Sequence, residues 1–172
     1  MRVQARTFGL VALLMTALPG QAATSVAARD DVLKPASVRM AELGRAALAK
    51  GEALAAIDAF EAALASDPKN VAAYNGIAMS YEKLELPGKA VRYYREALAL
   101  NPSDLVALEG QGKALIARGA TARAQINLAR IKALCKTECP EAQRLQMALS
   151  TASKAETAEA KPAEKIADTA KN

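Results

Sequence analysis

The sequence predicts an all-α protein built from stacked pairs of helices, and two observations lead to this prediction. Apolar and small residues recur at offsets of three, four and seven, a spacing that places them on one face of a helix. Two similar segments, FEAALASDPKN from Phe60 and YREALALNPSD from Tyr94, begin one period of about 34 residues apart. Such a period indicates an array in which each helical unit packs against its neighbour.

The clearest repeat covers residues 71–102, with Pro102 closing its second helix. Its pattern residues on the two helices are Tyr74, Ile77, Ala78, Tyr81, Ala90, Tyr94 and Ala97. This pattern and its period resemble the tetratricopeptide repeat. One period earlier stand Gly44, Ala56, Phe60, Ala63 and Pro68. One period later a weaker match has Leu108, Gly112, Leu115, Ala124 and Leu128. The resemblance implies a short helical-hairpin solenoid of about three repeats.

Helices of these repeats are expected at about 37–50, 53–66, 71–84, 88–100, 104–117 and 121–135. Ser37 is expected to cap the first helix, after Pro35. Turns within repeats are indicated by Gly51, Pro87-Gly88 and Gly119, and turns between repeats by Asp67-Pro68 and Asn101-Pro102. After a stop at residues 135–140, a helix over 141–150 is expected to cap the open end of the last repeat.

Residues 1–22 have the layout of a secretory signal peptide, with Arg2 and Arg6, an apolar run over 8–18, and small residues at Gly20 and Ala22. The apolar run is too short to span a bilayer, although a buried amphipathic helix is an alternative interpretation. We therefore expect cleavage after Ala22, with no lipid anchor and no membrane span in the mature chain. The predicted organisation is a signal peptide over 1–22, a linker over 23–36, the repeat domain with its cap over 37–150, and a disordered tail over 151–172.

Composition argues against several classes of function. The chain has no His, the commonest general base and metal ligand, and no Gly-rich phosphate loop or catalytic triad. The sequence therefore predicts no enzyme activity and no cofactor. The net charge of +5 falls to +3 without Arg2 and Arg6, and charges of both signs are interspersed. Nucleic acid is therefore not an expected partner.

Cys135 and Cys139 are the only cysteines of the chain. In an exported protein an even number of cysteines favours a disulfide, and a turn over 137–140 would let the two sulfurs meet. An intermolecular bridge, a redox pair and a metal site remain alternatives. However, the C-x3-C spacing differs from the C-x2-C redox motif, and two thiols without His are an incomplete zinc site. The pair, followed by Pro-Glu, also resembles the C-terminal end of some secreted repeat proteins of Gram-negative bacteria.

The family resemblance further implies a concave groove lined by the first helix of each repeat. Its expected partner-binding residues are Arg45, Asn75, Gly76, Met79, Glu82, Glu109, Gly110, Lys113 and Ile116. Ala41, Leu48 and Val106 are also expected to face inward. Some family members hold a chaperone's C-terminal carboxylate at positions that here read Ala41, Arg45, Gly76, Val106 and Gly110. Because only Arg45 could serve, that class of partner is not expected.

Gly76 and Gly110 stand at the same position of successive repeats, inside predicted helices. Glycine in a helix costs about 0.5–1 kcal/mol relative to alanine, so its presence needs a reason. One explanation is that the glycines relieve crowding between helices. The other is that they leave the groove floor open for the backbone of a partner.

These observations predict a non-enzymatic protein–protein interaction module, an adaptor of Gram-negative bacterial type that is periplasmic or secreted. Its partner is expected to be a protein or a peptide. One alternative is an assembly or accessory subunit of a pilus or secretion machine that self-associates through its outer helices. A further alternative is a redox-active thiol protein built on Cys135 and Cys139.

Overall fold

A computed structural model describes residues 32–135, 137 and 139–169, with side chains as far as residue 155. In this part of the chain there are seven α-helices and no strand: α1 Pro35–Ala49, α2 Ala53–Ser66, α3 Val71–Lys83, α4 Pro87–Leu100, α5 Leu105–Ile116, α6 Thr121–Leu134 and α7 Pro140–Thr169. The predicted all-α class is confirmed. The bounds of the six repeat helices agree with the predicted ones to within two residues.

The helices form three consecutive pairs, α1 with α2, α3 with α4 and α5 with α6. The second helix of a pair also packs on the first helix of the next pair. The first helices α1, α3 and α5 contact one another in sequence, so they form one continuous surface of the array. This is the predicted solenoid of about three repeats, and it brings side chains from α1, α3 and α5 to the same side.

One large side chain occupies the centre of each repeat, surrounded by small ones. Phe60 on α2 and Tyr94 on α4 stand one repeat period apart and are both almost completely buried. The third repeat has Leu128 at the same position, also buried. Burying a side chain of this size stabilises the fold by roughly 1.5–3 kcal/mol. Buried alanines on neighbouring helices belong to the same core clusters, Ala73 of α3 with Phe60 and Ala107 of α5 with Tyr94, and their small side chains leave room for these rings.

Side-chain caps recur at the period of the repeat. Asn70 and Asp104 precede α3 and α5, and each accepts a hydrogen bond from a backbone N–H three residues later, at 3.1 and 2.9 Å. Asn70 Nδ2 also donates to Ser37 Oγ at 2.8 Å. The prediction that Ser37 caps α1 is wrong, because α1 already begins at Pro35, whose fixed φ suits the first helical position. Ser37 is instead a buried link between the first two repeats.

The turn within the second repeat differs from the other two. Gly51 and Gly119 adopt positive φ values of 82° and 72°, as expected of glycine after a helix. In the second repeat, Glu85 takes this conformation with φ 57°. The predicted turn at Pro87-Gly88 is therefore displaced, since Pro87 is the first residue of α4 and Gly88 lies inside the helix.

The last helix covers the end of the third repeat and is longer than predicted. Leu145 and Leu149 are buried where α7 packs on α5 and α6, which agrees with a capping role. The predicted end of this helix at Ser150 is wrong, because α7 continues to Thr169. The later sequence is rich in Ala, Glu and Lys, which favour helix even without a core to pack on. Disorder of residues 151–172 in solution stays a prediction.

The predicted signal peptide, and the part of the linker that precedes residue 32, lie outside the described residues. Among the residues that the structure does describe, no helix has the length and apolar character needed to cross a bilayer.

Candidate partner-binding groove

A cavity of about 1090 Å³, the groove, lies where α1, α3 and the start of α5 face one another. The predicted groove residues that line it are Arg45, Asn75, Gly76, Met79 and Glu82, together with the inward-facing Leu48 and Val106. Its position follows from the stacking of the first helices.

Much of the groove surface is apolar and open. Met79 and Val106 are 41% and 49% exposed, although both are large apolar side chains. Leu48 and Val71 add half-buried apolar surface beside them. Exposed apolar residues that converge in a concave site are typical of surfaces that bind a ligand or another protein.

Asn75 supplies a polar group on the groove wall. Its side-chain Nδ2 donates to Asp104 Oδ2 at 3.1 Å, which fixes the orientation of the carboxamide. Asn75 is only 7% exposed, and its Oδ1 atom has no hydrogen-bond partner among the described residues. Buried polar atoms in proteins are paired with protein groups or ordered water, so this acceptor has the capacity to take a donor.

Glu82 lies half-buried at the other end of α3, and its only hydrogen bond within the described residues comes from a neutral donor. The hydroxyl of Tyr94 donates to Glu82 Oε2 at 3.2 Å. Burial raises the pKa of Glu82, and the hydrogen bond from Tyr94 opposes this shift only in part. Burial also raises the pKa of Tyr94, and the charge of Glu82 raises it further, so the phenol remains protonated.

The structure decides between the two explanations of Gly76 and Gly110. A β-carbon on Gly76 would lie 2.2 Å from Phe60 Cζ, and one on Gly110 would lie 2.2 Å from Tyr94 Cζ. Both distances are far below van der Waals contact. The glycines therefore admit an aromatic ring of the preceding repeat, and the prediction of an open groove floor at these positions is wrong.

Glu109 was expected to face the open groove, and the structure corrects this expectation. Arg144 of α7 forms two hydrogen bonds with its carboxylate, at 2.8 and 2.6 Å, and Lys113 donates to the same group. Burial alone would raise the pKa of Glu109, but these two cations outweigh it and hold the pKa below its ordinary value. Glu109 is 7% exposed and belongs to the contact between α5 and the capping helix.

The other third-repeat residues predicted to bind a partner, Gly110, Lys113 and Ile116, also lie outside the groove. Gly110 is buried against Tyr94, and Ile116 is half-buried against the core. Lys113 lines a smaller cavity of about 520 Å³ with Glu85 and Pro87, and Glu82 borders both cavities.

Prediction from the repeat pattern missed two residues near these sites. One is Arg144, which α7 supplies from outside the repeats. The other is Asp104, whose place as the cap of α5 could have been read from its position one repeat period after Asn70.

The predicted disulfide is present between Cys135 and Cys139, whose Cα atoms are 6.0 Å apart. It joins the end of α6 to the start of α7, so it lies away from the groove lining. No group of three or more potential metal ligands occurs among the described residues. By joining the end of α6 to the start of α7, the bridge limits where the capping helix can lie.

Paired helices, stacked so that their first members line a groove, define a helical-repeat protein of the solenoid class. A tetratricopeptide repeat family model matches residues 41–104 and 77–133, which together make up more than half of the sequence. The chain belongs to the tetratricopeptide repeat family.

Solved structures with the same fold include domains whose ligands are known. The first such domain of Spaghetti (RPAP3), bound to the HSP90 peptide SRMEEVD, is 25% identical with a TM-score of 0.63, over 68% of this chain and 92% of that one. The first domain of human RPAP3 is 23% identical with a TM-score of 0.61, over 69% of this chain and 96% of that one. The P58(IPK) domain is 21% identical with a TM-score of 0.61, over 77% of this chain and 37% of that one. A comparison with curated proteins finds no significant match.

Proposed function

We propose that the chain is a non-enzymatic adaptor that binds an extended segment of a partner protein in the groove. The observation that carries this proposal is the cavity of about 1090 Å³ into which Met79 and Val106 expose apolar surface. Membership of a family whose domains are protein-interaction modules supports it. The similar RPAP3 domain holds a peptide, which supports an extended ligand.

The mode of recognition differs from capture of a terminal carboxylate. Ala41 is buried, and the positions of Gly76 and Gly110 are filled by aromatic rings. Val106 offers an apolar side chain, so Arg45 is the only cation among the five corresponding positions. One arginine cannot reproduce a cluster of donors around a carboxylate. The partner is therefore of another chemistry.

We place the adaptor in the periplasm or outside the cell, with Gram-negative bacteria as the source type. This proposal rests on the sequence of residues 1–22 and is supported by the disulfide between Cys135 and Cys139. Disulfides persist in oxidising compartments and are rare in the cytosol. The location and the binding activity are separate proposals, and each has its own test.

A second candidate function is self-association in an assembly. Leu54 on α2 and Ile126 on α6 are 68% and 62% exposed, although both lie on second helices away from the groove. A contact between copies through the outer helices would bury these two side chains. This candidate predicts association that depends on concentration, whereas an adaptor of the groove type stays monomeric without its partner.

Site-specific photo-crosslinking in intact cells separates the two functions. A photoreactive amino acid replaces Met79 in the groove or, as the matched control, Ile126 on α6. A groove adaptor gives a crosslinked partner from position 79 and none from position 126. An adduct of twice the mass of the chain from position 126 alone supports self-association and contradicts the groove proposal.

A further inference from the structure

Two carboxylates line the groove, and neither forms an ion pair within the described residues, although the charges of Lys113 and Lys83 act on Glu82 from a longer distance. Glu82 accepts a hydrogen bond from the hydroxyl of Tyr94, and Asp104 accepts one from the carboxamide of Asn75. Asp104 also accepts from the backbone N–H of Ala107. All three donors are neutral. Within the described part of the chain, neither carboxylate has a Lys or Arg nitrogen within 4.0 Å.

A third carboxylate of the array, that of Glu109, does have a cationic partner within the chain. Glu109 stands one repeat period after Asn75, at the same position of the next repeat. Arg144 of α7 packs there and forms a bidentate ion pair with it. In the third repeat, the capping helix therefore already supplies the cation that pairs with the carboxylate. The carboxylates of Glu82 and Asp104, nearer the middle of the array, have no such partner in the described chain.

Two cations also line the groove, and they are more solvated than the carboxylates. Arg45 is more than half exposed, and its guanidinium lies 3.9 Å from Glu42 on the same helix. Lys83 is exposed at the end of α3. A half-buried carboxylate gains more from an incoming ion pair than an exposed cation does, because water screens it less. Glu82 accepts one hydrogen bond whereas Asp104 accepts two, so Glu82 is the carboxylate of the groove that gains more from a cationic partner.

Asn75 provides a second and independent indication of a ligand. Its Oδ1 is a buried acceptor without a donor, and its Nδ2 is committed to Asp104. A donor from a bound segment is one way to pair this atom. A peptide backbone N–H, or the head group of a Lys or Arg side chain, is a donor of this kind.

From these observations we infer that the groove selects a partner segment with a Lys or Arg side chain next to apolar residues. The basic side chain pairs with Glu82, a donor of the segment satisfies Asn75 Oδ1, and apolar side chains pack on Met79 and Val106. This inference rests on the proposed function and names the chemistry of its partner. The HSP90 peptide held by the similar RPAP3 domain, SRMEEVD, has three acidic residues and one Arg, so its overall charge is opposite to that of the inferred segment.

Selection from a display library of random seven-residue linear peptides on the purified protein tests the inference. The same selection is carried out on Glu82→Gln, on the matched control Glu96→Gln from the exposed side of α4, and on the groove variant Met79→Asp. Circular dichroism establishes that each variant is folded. The expected result is enrichment of Lys or Arg at one position beside apolar residues on the unsubstituted protein. This preference persists on Glu96→Gln and is lost on Glu82→Gln, with affinities about tenfold weaker.

The remaining outcomes overturn the inference in distinguishable ways. Peptides enriched in acidic or only in apolar residues, and lost on Met79→Asp, contradict the basic partner and leave the groove adaptor standing. A basic preference that survives Glu82→Gln removes Glu82 from recognition and overturns the inference as well. Selection that yields no peptide dependent on Met79 contradicts both the inference and binding of an extended segment in the groove.

Discussion

The ring of Phe60 lies so close to the backbone of Gly76 that a β-carbon there would stand 2.2 Å from the ring. Tyr94 and Gly110 repeat this relationship one period later. An aromatic side chain from the second helix of one repeat thus packs on a glycine of the first helix of the next. This contact explains why helices α3 and α5 tolerate glycine, which costs up to about 1 kcal/mol in a helix interior.

Gly76→Ala is therefore expected to destabilise the protein. The added methyl group forces Phe60 from its place, and overpacking of this kind costs about 1–3 kcal/mol of the free energy of unfolding. Urea denaturation measures the loss. The matched control is Gly88→Ala in α4, where the nearest side-chain atom would be 4.0 Å away, and its stability should change by less than about 1 kcal/mol. A Gly76→Ala protein that is more stable than the original would disprove the packing explanation.

Glu109 should stabilise the fold in a manner that depends on pH. Its pKa in the folded protein is held below the ordinary value, because Arg144 and Lys113 outweigh the effect of burial. Its contribution is therefore fully present above the ordinary carboxyl pKa of about 4.3 and is lost as pH falls through the lowered value. The stability difference between the original protein and Glu109→Gln should shrink on acidification.

Urea denaturation of both proteins at a series of pH values measures this difference. Glu141→Gln is the matched control, since Glu141 also contacts Arg144 but is less buried and lies on α7 itself. The free energy of unfolding of Glu141→Gln should differ less from that of the original protein at every pH. A difference for Glu109→Gln that stays constant from neutral to acidic pH would show that the ion pair does not determine it.

Removal of the disulfide should weaken the fold modestly. The bridge closes a loop with a sequence separation of four, so on the chain-entropy model its loss costs about 2 kcal/mol. The double variant Cys135→Ser and Cys139→Ser should keep its helical circular dichroism, because Leu145 and Leu149 still pack α7 on the third repeat. Loss of most of the helical signal would mean that the bridge holds the whole array together.

Export is expected to remove residues 1–22. Mass spectrometry of the protein recovered from the periplasm or the medium should find a chain that begins at Ala23. Thiol labelling of the same sample under denaturing, non-reducing conditions should find no free cysteine. A chain that retains Met1 and accumulates in the cytoplasm contradicts the proposed location.

The repeat helices could be located from the sequence because their positions depend on local periodicity and on turn residues at a fixed spacing. The same pattern does not show which side chain fills the space beside Gly76, since Phe60 reaches it from another repeat. Nor does it fix the register of α7, which brings Arg144 to Glu109 across a sequence separation of 35. Contacts of this kind depend on how the elements stack, and they account for most of the corrections in the groove.

The length of α7 exceeded the prediction for a different reason. The sequence after Ser150 is rich in residues that favour helix, but it offers almost no large apolar side chain for packing. Composition alone therefore permits either a helix or a disordered tail. Helix propensity extends α7 to Thr169.

The most direct test of the groove proposal is the affinity of the partner captured by crosslinking at position 79. Isothermal titration calorimetry compares the original protein with Met79→Asp, which places a charge in the apolar part of the groove, and with Ile126→Asp on α6. Binding at the groove predicts that Met79→Asp weakens the affinity at least tenfold, or about 1.4 kcal/mol, and that Ile126→Asp leaves it unchanged. An unchanged affinity for a folded Met79→Asp protein, or a loss confined to Ile126→Asp, would contradict the proposal.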